Sequence, residues 1–225
     1  MVGRPDGLWK LIVDAQGRSG IENMAADVAL LDDAVRFGNA SLRLYRWDPP
    51  TLSFGRNQPM EGLALDGIAV VRRPTGGQAV WHEHELTYAV AAPIAAFGSL
   101  RNAYRAIHER LATALQSLGV DAALAAYSPT VRLSDRPTSC FAAPVGGEIV
   151  VQGCKLVGSA QVRRRDAFLQ HGSILLDGAQ PSSFNGETTV AAVLGRSVSF
   201  DEVADAIIKT WSDLRPSGIA SVAAR

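Results

Sequence analysis

Cys140 and Lys155 stand fifteen residues apart in the 139–177 stretch SCFAAPVGGEIVVQGCKLVGSAQVRRRDAFLQHGSILLD. A thiol attacks only as its thiolate, and a nearby ammonium lowers its pKa from about 8.5. Lys155 is the only lysine between Lys10 and Lys209. Residues 148–151 read as a strand, Gln152-Gly153 as a tight turn, and 155–160 as the returning strand; 169–176 follows as another. Strict alternation would put Lys155, Val157 and Ser159 on one side, with Leu156 and Gly158 on the other. Fifteen residues suffice for one strand out and a turn back toward the loop that holds Cys140, and the two together would form an activated acyl acceptor. Free cysteines are by default inert packing. Cys154, beside Lys155, is expected to face away from it. Cys140, among Ser139, Phe141 and Pro144, lies outside any apolar periodicity.

The elements that would carry this pair can be read on either side. Residues 8–13 alternate as a strand. In 22–37, Met24, Val28, Leu31 and Val35 recur at helical steps, with Gly38 suited to the C-terminal stop. Asn23 and Asp27 share one face of that helix, and periodicity alone leaves them solvated. Strands are predicted at 42–47 and 51–55, followed by the polar Arg56-Asn57-Gln58; 68–72 reads as a short buried strand and 87–91 as another. Between the last two lies Arg73-Pro74-Thr75-Gly76-Gly77-Gln78-Ala79-Val80-Trp81-His82. Paired glycines let successive N–H groups converge on an anion or carbonyl, and Arg72 and Arg73 could grip phosphate or carboxylate. As a bare pattern, though, Gly-Gly after Pro-Thr is an ordinary turn.

Residues 100–118 form a helix with the stripe Tyr104, Ile107, Leu111, Leu115 and Leu118, capped by Ser99 and stopped by Gly119; His108 is read as solvated. Residues 125–139, with Pro129 and Pro137, are the least regular: a loop that could close over a substrate, or a surface excursion. Arg163-Arg164-Arg165 reads as a solvated hairpin turn, or else a contact for an acidic carrier domain. A short helix is expected at 187–194. Ser199-Phe200-Asp201-Glu202 fits a capping box that opens a helix facing inward with Val203, Ile207, Trp211 and Leu214. One domain spans 1–215, with 216–225 as a tail.

Of the 225 residues, 22 are Lys or Arg and 22 Asp or Glu, a balance that argues against a nucleic-acid partner. The longest apolar run, 88–97, is broken by Pro93 and is about half of a membrane span. No signal-peptide pattern opens the chain. Two cysteines without CxxC or metal-ligand spacing fit a reducing, cytoplasmic compartment and no metal site. The expectation is a soluble protein with no membrane partner.

The runs GCKLVGSAQ and LQHGSILLD, with ENMAADVALLDDA, TLSFGRNQ and RRPTGGQAVWHEHELTYAV, resemble the biotin/lipoate protein ligase and acyltransferase superfamily. They cover 22–177 in that superfamily's order. The SCF-to-GCK context is most similar to its cysteine-dependent octanoyltransferase branch. The resemblance implies Cys140 as nucleophile, Lys155 as the invariant lysine and Cys154 as structural. It also implies a substrate site built from Arg73, Gly76, Gly77, Gln78, Ala79, His82, Gly158, Ser159, Ala160 and His171, and it brings Asn23 and Asp27 toward that site. Gln78 replaces the third glycine usual in the ligases, which disfavours a nucleotide-phosphate cradle.

The irregular alternation of strands and helices, with tight turns, predicts an α+β domain whose mixed, largely antiparallel sheet is flanked by helices. The resemblance implies the same, a class II synthetase-like catalytic domain. Three functions follow. In the first, Cys140 takes an octanoyl or lipoyl group from a thioester of acyl carrier protein. It then passes the group to a lysine of a lipoyl domain, the glycine cleavage H protein or a 2-oxoacid dehydrogenase E2. Lys155 holds the thiolate and the developing oxyanion, and no cofactor is required. The second is ATP- and Mg-dependent lipoate ligation through an acyl-adenylate. The third is a non-catalytic module that binds acylated carriers.

Overall fold

The structure, a computed structural model, describes residues 9–59, 67–126, 146–178 and 187–211. Cys140, Leu214 and the expected boundary at 215 lie outside the described residues.

A seven-stranded sheet forms the centre. In chain order its strands are β1 (Trp9–Arg18), β2 (Ala40–Trp47), β6 (Glu85–Pro93), β7 (Ala123–Leu124), β8 (Ile149–Val151), β9 (Cys154–Arg164) and β10 (Ala167–Leu175). Across the sheet the order is β1-β2-β6-β10-β9-β8-β7. Only β1 and β2 pair in parallel; every other neighbour is antiparallel. A second sheet stacks β4 (Ala69–Arg72), β3 (Thr51–Phe54) and β5 (Val80–His82) in that order. The molecule is therefore the mixed α+β domain with a mostly antiparallel sheet that the sequence predicts.

Helices cover both faces. On one, α2 (Leu100–Ser117) and α4 (Phe200–Trp211) bury Ile107, Leu111, Leu115, Val203 and Ile207 against Leu42, Leu86, Val90, Phe168 and Ile174. On the other, α1 (Gly20–Phe37) lays Met24, Leu30 and Leu31 on Tyr45, Ala89, Ala91 and Leu169. Each such side chain contributes about 1.5–3 kcal/mol when fully buried, so two apolar faces fix the sheet between the helices. The caps follow sequence chemistry. Ser19 and Glu22 close a reciprocal capping box on α1, and Gly38 ends it in the left-handed region at φ 71°. Ser99 caps α2, and Ser199 accepts from the Glu202 amide at the start of α4. Gln152 and Gly153, both at positive φ, make the β8–β9 turn, and Arg165 makes the β9–β10 turn, where Arg164 pairs with Asp32 of α1.

Several boundaries differ from the sequence reading. Strand β1 continues to Arg18 because β2 pairs with it again at Gly17 and Arg18, beyond a bulge between Asp14 and Gly17. The strand at 69–72 is not buried: it is the edge of the small sheet, and its residues are half-buried or exposed. The second half of the glycine-rich loop is strand β5, antiparallel to β3. The short helix α3 (Val190–Leu194) starts three residues late, because Glu187 bridges to Lys155 and Thr189 is the N-cap.

Candidate active site

A bulge decides where Lys155 points. On β8, Ile149 pairs with Val157, yet its neighbour Val150 pairs with Lys155, so β9 carries one extra residue at Leu156. Leu156 and Val157 both enter the α2-side core, together with Ile149 and Val151. Val150 does not, and cross-strand partners share a face. Lys155 therefore sits on the opposite face from Val157 and Ser159, contrary to strict alternation. Cys154, paired with Val151, faces away from the lysine as expected. The Lys155 ammonium is buried and lies 2.7 Å from Glu148 Oε1.

A cleft enclosing about 330 Å³ of empty space, open solvent included, is lined among the described residues by Met24, Tyr45, Trp47, Arg73, Val80, His82, Thr87, Gly158, Ser159, Ala160, His171, Gly172 and Ser173, with Lys155 and Glu148 not among them. Six of the residues singled out from sequence meet here: Arg73, His82, Gly158, Ser159, Ala160 and His171. Gly76, Gly77, Gln78 and Ala79 are not among the lining residues; they form the turn above it. Gly77 lies at φ 93°, and its carbonyl passes so close to Gly55 that a Cβ on Gly55 would meet it at 2.0 Å. Gly172 is equally constrained, since a Cβ there would come 2.4 Å from the Gly158 carbonyl oxygen. Both glycines permit a close approach that no larger residue allows.

Arg72 and Arg73 serve the loop itself. Arg72 donates to the carbonyls of Gly55, Arg56 and Gln58. Arg73, buried, donates to Ser53 and to the carbonyls of Gly76 and Gln78.

The two expected histidines are held at both nitrogens. His171 Nδ1 donates to Asp27 Oδ2 at 2.8 Å, and its Nε2 lies 2.7 Å from Thr75 Oγ1. Asp27 also accepts from Arg43 and from the Tyr45 hydroxyl. Arg43 in turn reaches Asp14 and Asn23. Burial opposes the charge on Arg43, but Tyr45, Asp27 and Asp14 outweigh it and raise its pKa. Asn23 and Asp27 are thus fully buried, not solvated. His82 stacks on Trp47 at 3.9 Å. It is bonded through Nδ1 to Glu85 and through Nε2 to Ser53. Burial lowers its pKa, with Glu85 opposing, so it stays neutral at pH 7.

His108 overturns its sequence reading. It is fully buried rather than solvated, with Nδ1 2.6 Å from the Gly147 carbonyl oxygen and Nε2 2.8 Å from Ser159 Oγ. Its step from Tyr104 and Leu111 on α2 is the signal in the sequence that places it on the buried face of that helix. Nothing in the sequence pattern of β2, which carries Arg43 and Arg46 among apolar residues, distinguishes Arg43 as a site residue. Among the described residues no cluster of His, Cys, Asp or Glu could hold a metal ion, and no helix is long and apolar enough to cross a membrane.

Fold and site together define a lipoate-ligase-type catalytic domain. Solved structures with this architecture include a lipoate-protein ligase A bound with ATP, 24% identical, with a TM-score of 0.69 over 94% of this chain and 90% of that one. A second is the T. acidophilum protein Ta0514, described as a putative lipoate protein ligase, 24% identical, with a TM-score of 0.67 over 92% and 84%. Residues 19–187 match the family described as the lipoyl protein ligase A/B catalytic domain, and the chain belongs to it. It is 43% identical over 183 residues to octanoyltransferase LipM of Kyrpidia tusciae, covering 75% of this chain and 66% of that protein. It is also 43% identical over 178 residues to its counterpart in Carboxydothermus hydrogenoformans, covering 75% and 65%. To the Symbiobacterium thermophilum octanoyltransferase LipM it is 38% identical over 231 residues, covering 88% and 83%. The chain thus spans just under two thirds of the first two relatives' length.

Proposed function

We propose that this protein is an octanoyltransferase: it takes an octanoyl group from a thioester on acyl carrier protein and transfers it to a lysine of a lipoyl domain, by way of a thioester on Cys140. The observation that carries this reading is the β9 bulge, which turns the Lys155 ammonium away from the α2-side core and beside Glu148. There a fixed cation stabilises a thiolate before attack and an oxyanion during it. The thiolate adds to the thioester carbonyl, the carrier thiol leaves, and the acceptor amine later displaces Cys140 from the acyl group. Gly158, Ala160 and Gly172 leave the floor free of bulky side chains, and Met24, Tyr45, Trp47 and Val80 supply apolar walls for an alkyl chain.

A thioester is already activated, so this reading needs neither ATP nor metal. The use of Arg72 and Arg73 on main-chain carbonyls supports it over a polyphosphate cradle. The relatives named as octanoyltransferases support the acyl group, and the lipoyl acceptor follows from the family. The test is to incubate the protein with octanoyl-acyl carrier protein and a lipoyl domain, with and without ATP. Transfer independent of ATP is expected. Modification that requires ATP and free lipoate would move the protein to ligation, and no transfer under either condition would leave a binding module.

A further inference from the structure

A polar chain crosses the buried α2 side of the sheet and meets the cleft at Ser159. Gln161 donates to Gln170, Gln170 donates to the Tyr88 hydroxyl at 3.0 Å, and Tyr88 lies 2.7 Å from Ser159 Oγ. Ser159 Oγ lies 2.8 Å from His108 Nε2, and His108 Nδ1 2.6 Å from the Gly147 carbonyl oxygen. A carbonyl only accepts, so Nδ1 carries the proton and Nε2 is the acceptor. Every donor then points the same way, toward Gly147, and such aligned bonds polarise one another. The chain ends on the residue before Glu148, which is the partner of Lys155.

Gly147 also lies at φ 88°, at the entrance to β8. Its amide donates to the Ala125 carbonyl, while its own carbonyl is held from the other side by His108. The peptide that precedes Glu148 is thereby fixed between α2 and the β7 edge.

We infer that His108 is a positioning residue for Lys155: by holding the Gly147 carbonyl it sets where Glu148, and through it the Lys155 ammonium, stands against the cleft. This rests on the octanoyl-transfer reading. It concerns no contact of His108 with substrate. A displacement of about 1 Å at a reacting group can cost on the order of a hundredfold in rate, so loss of this tether reads out in kcat more than in KM.

Three variants separate the tether from the rest of the chain. His108→Leu removes the bonds to Gly147, Ser159 and Tyr88 together; His108→Asn keeps a donor where Nδ1 stood and no acceptor at Nε2. Tyr88→Phe removes the hydroxyl that lies 2.7 Å from Ser159 Oγ and 3.2 Å from His108 Nε2, and leaves the bond to Gly147. Steady-state transfer of octanoyl from acyl carrier protein and amide hydrogen exchange across 147–157 are measured on each. His108→Leu is expected to lose roughly tenfold or more in kcat, with KM for the carrier little changed and faster exchange confined to the β8–β9 hairpin. His108→Asn recovers most of both, and Tyr88→Phe retains both. The inference is overturned if His108→Asn is no better than His108→Leu, if Tyr88→Phe is as damaging, or if exchange in His108→Leu rises equally in β6 and β10. Should the wild-type protein show no transfer, the functional reading has failed, and exchange alone still decides whether His108 fixes the Glu148 peptide.

Discussion

Lys155 Nζ and Glu148 Oε1 lie 2.7 Å apart, with both side chains almost wholly removed from water. Two ions brought into the interior lose hydration that their mutual attraction barely restores, and breaking a buried pair by removing one of them costs about 3–5 kcal/mol. Glu148→Leu should therefore destabilise the fold by that order, whereas Glu148→Leu with Lys155→Met should recover much of the stability and none of the activity. Denaturant unfolding and transfer rates on the same samples check both halves. Lys155→Ala alone should lower transfer by at least about a hundredfold, and Lys155→Arg should rescue little, since a planar fork does not replace a point charge. Near-full activity in Lys155→Ala would remove the lysine from the mechanism.

Cys140 should carry the acyl group during turnover. Without an acceptor, exposure to octanoyl-acyl carrier protein should leave one octanoyl on the intact protein, removable by hydroxylamine, absent in Cys140→Ala and still present in Cys154→Ala. Mass spectrometry decides it. An unmodified wild-type protein would exclude the covalent route.

Gly172→Ala should damage both stability and transfer. Its Cβ would meet the Gly158 carbonyl oxygen at 2.4 Å and Ser159 Oγ at 2.5 Å. Backbone cannot swing aside as a side-chain tip can, so β9 and β10 must part at the cleft floor. Overpacking of this kind costs about 1–3 kcal/mol. A lower denaturation midpoint together with a lower kcat/KM is the expected result; an unchanged midpoint would mean that the strands yield freely.

His108 makes stability depend on pH. Burial, only partly offset by its bond to Gly147 and reinforced by the charge of Lys155, lowers its pKa from 6.5 to about 4. The unfolded chain therefore takes up the proton first as pH falls. The stabilisation is complete above pH 6.5 and is lost progressively toward pH 4, by about 3 kcal/mol in all. Urea unfolding at pH 7 and pH 5 should show wild type losing about 2 kcal/mol more than His108→Leu does. Equal losses would place the titration elsewhere, with neutral His82 the next candidate because its pKa is lowered in the same direction.

The chain's own chemistry determined the helices with their caps and the two turns flanking β9, while the six residues that line the cleft together were reached through the resemblance of their motifs to a known family. Helical stripes, Ser19-x-x-Glu22, Ser99 and Gln152-Gly153 act over a few residues, so their outcome is local. The sequence also singled out Lys155, yet alternation alone aimed it at the wrong face. Only pairing with β8, whose register slips by one at Leu156, turns it away from the α2-side core, because a bulge exists only between two strands. The same holds for His108, Arg43, Asn23 and Asp27. Each looked solvated or unremarkable along its own element, and each is buried because acceptors and donors from distant segments meet it there. A polar side chain's burial depends on partners that may be a hundred residues away, as Asp27 and His171 are. Periodicity carries no record of them, and the tertiary fold alone supplies them.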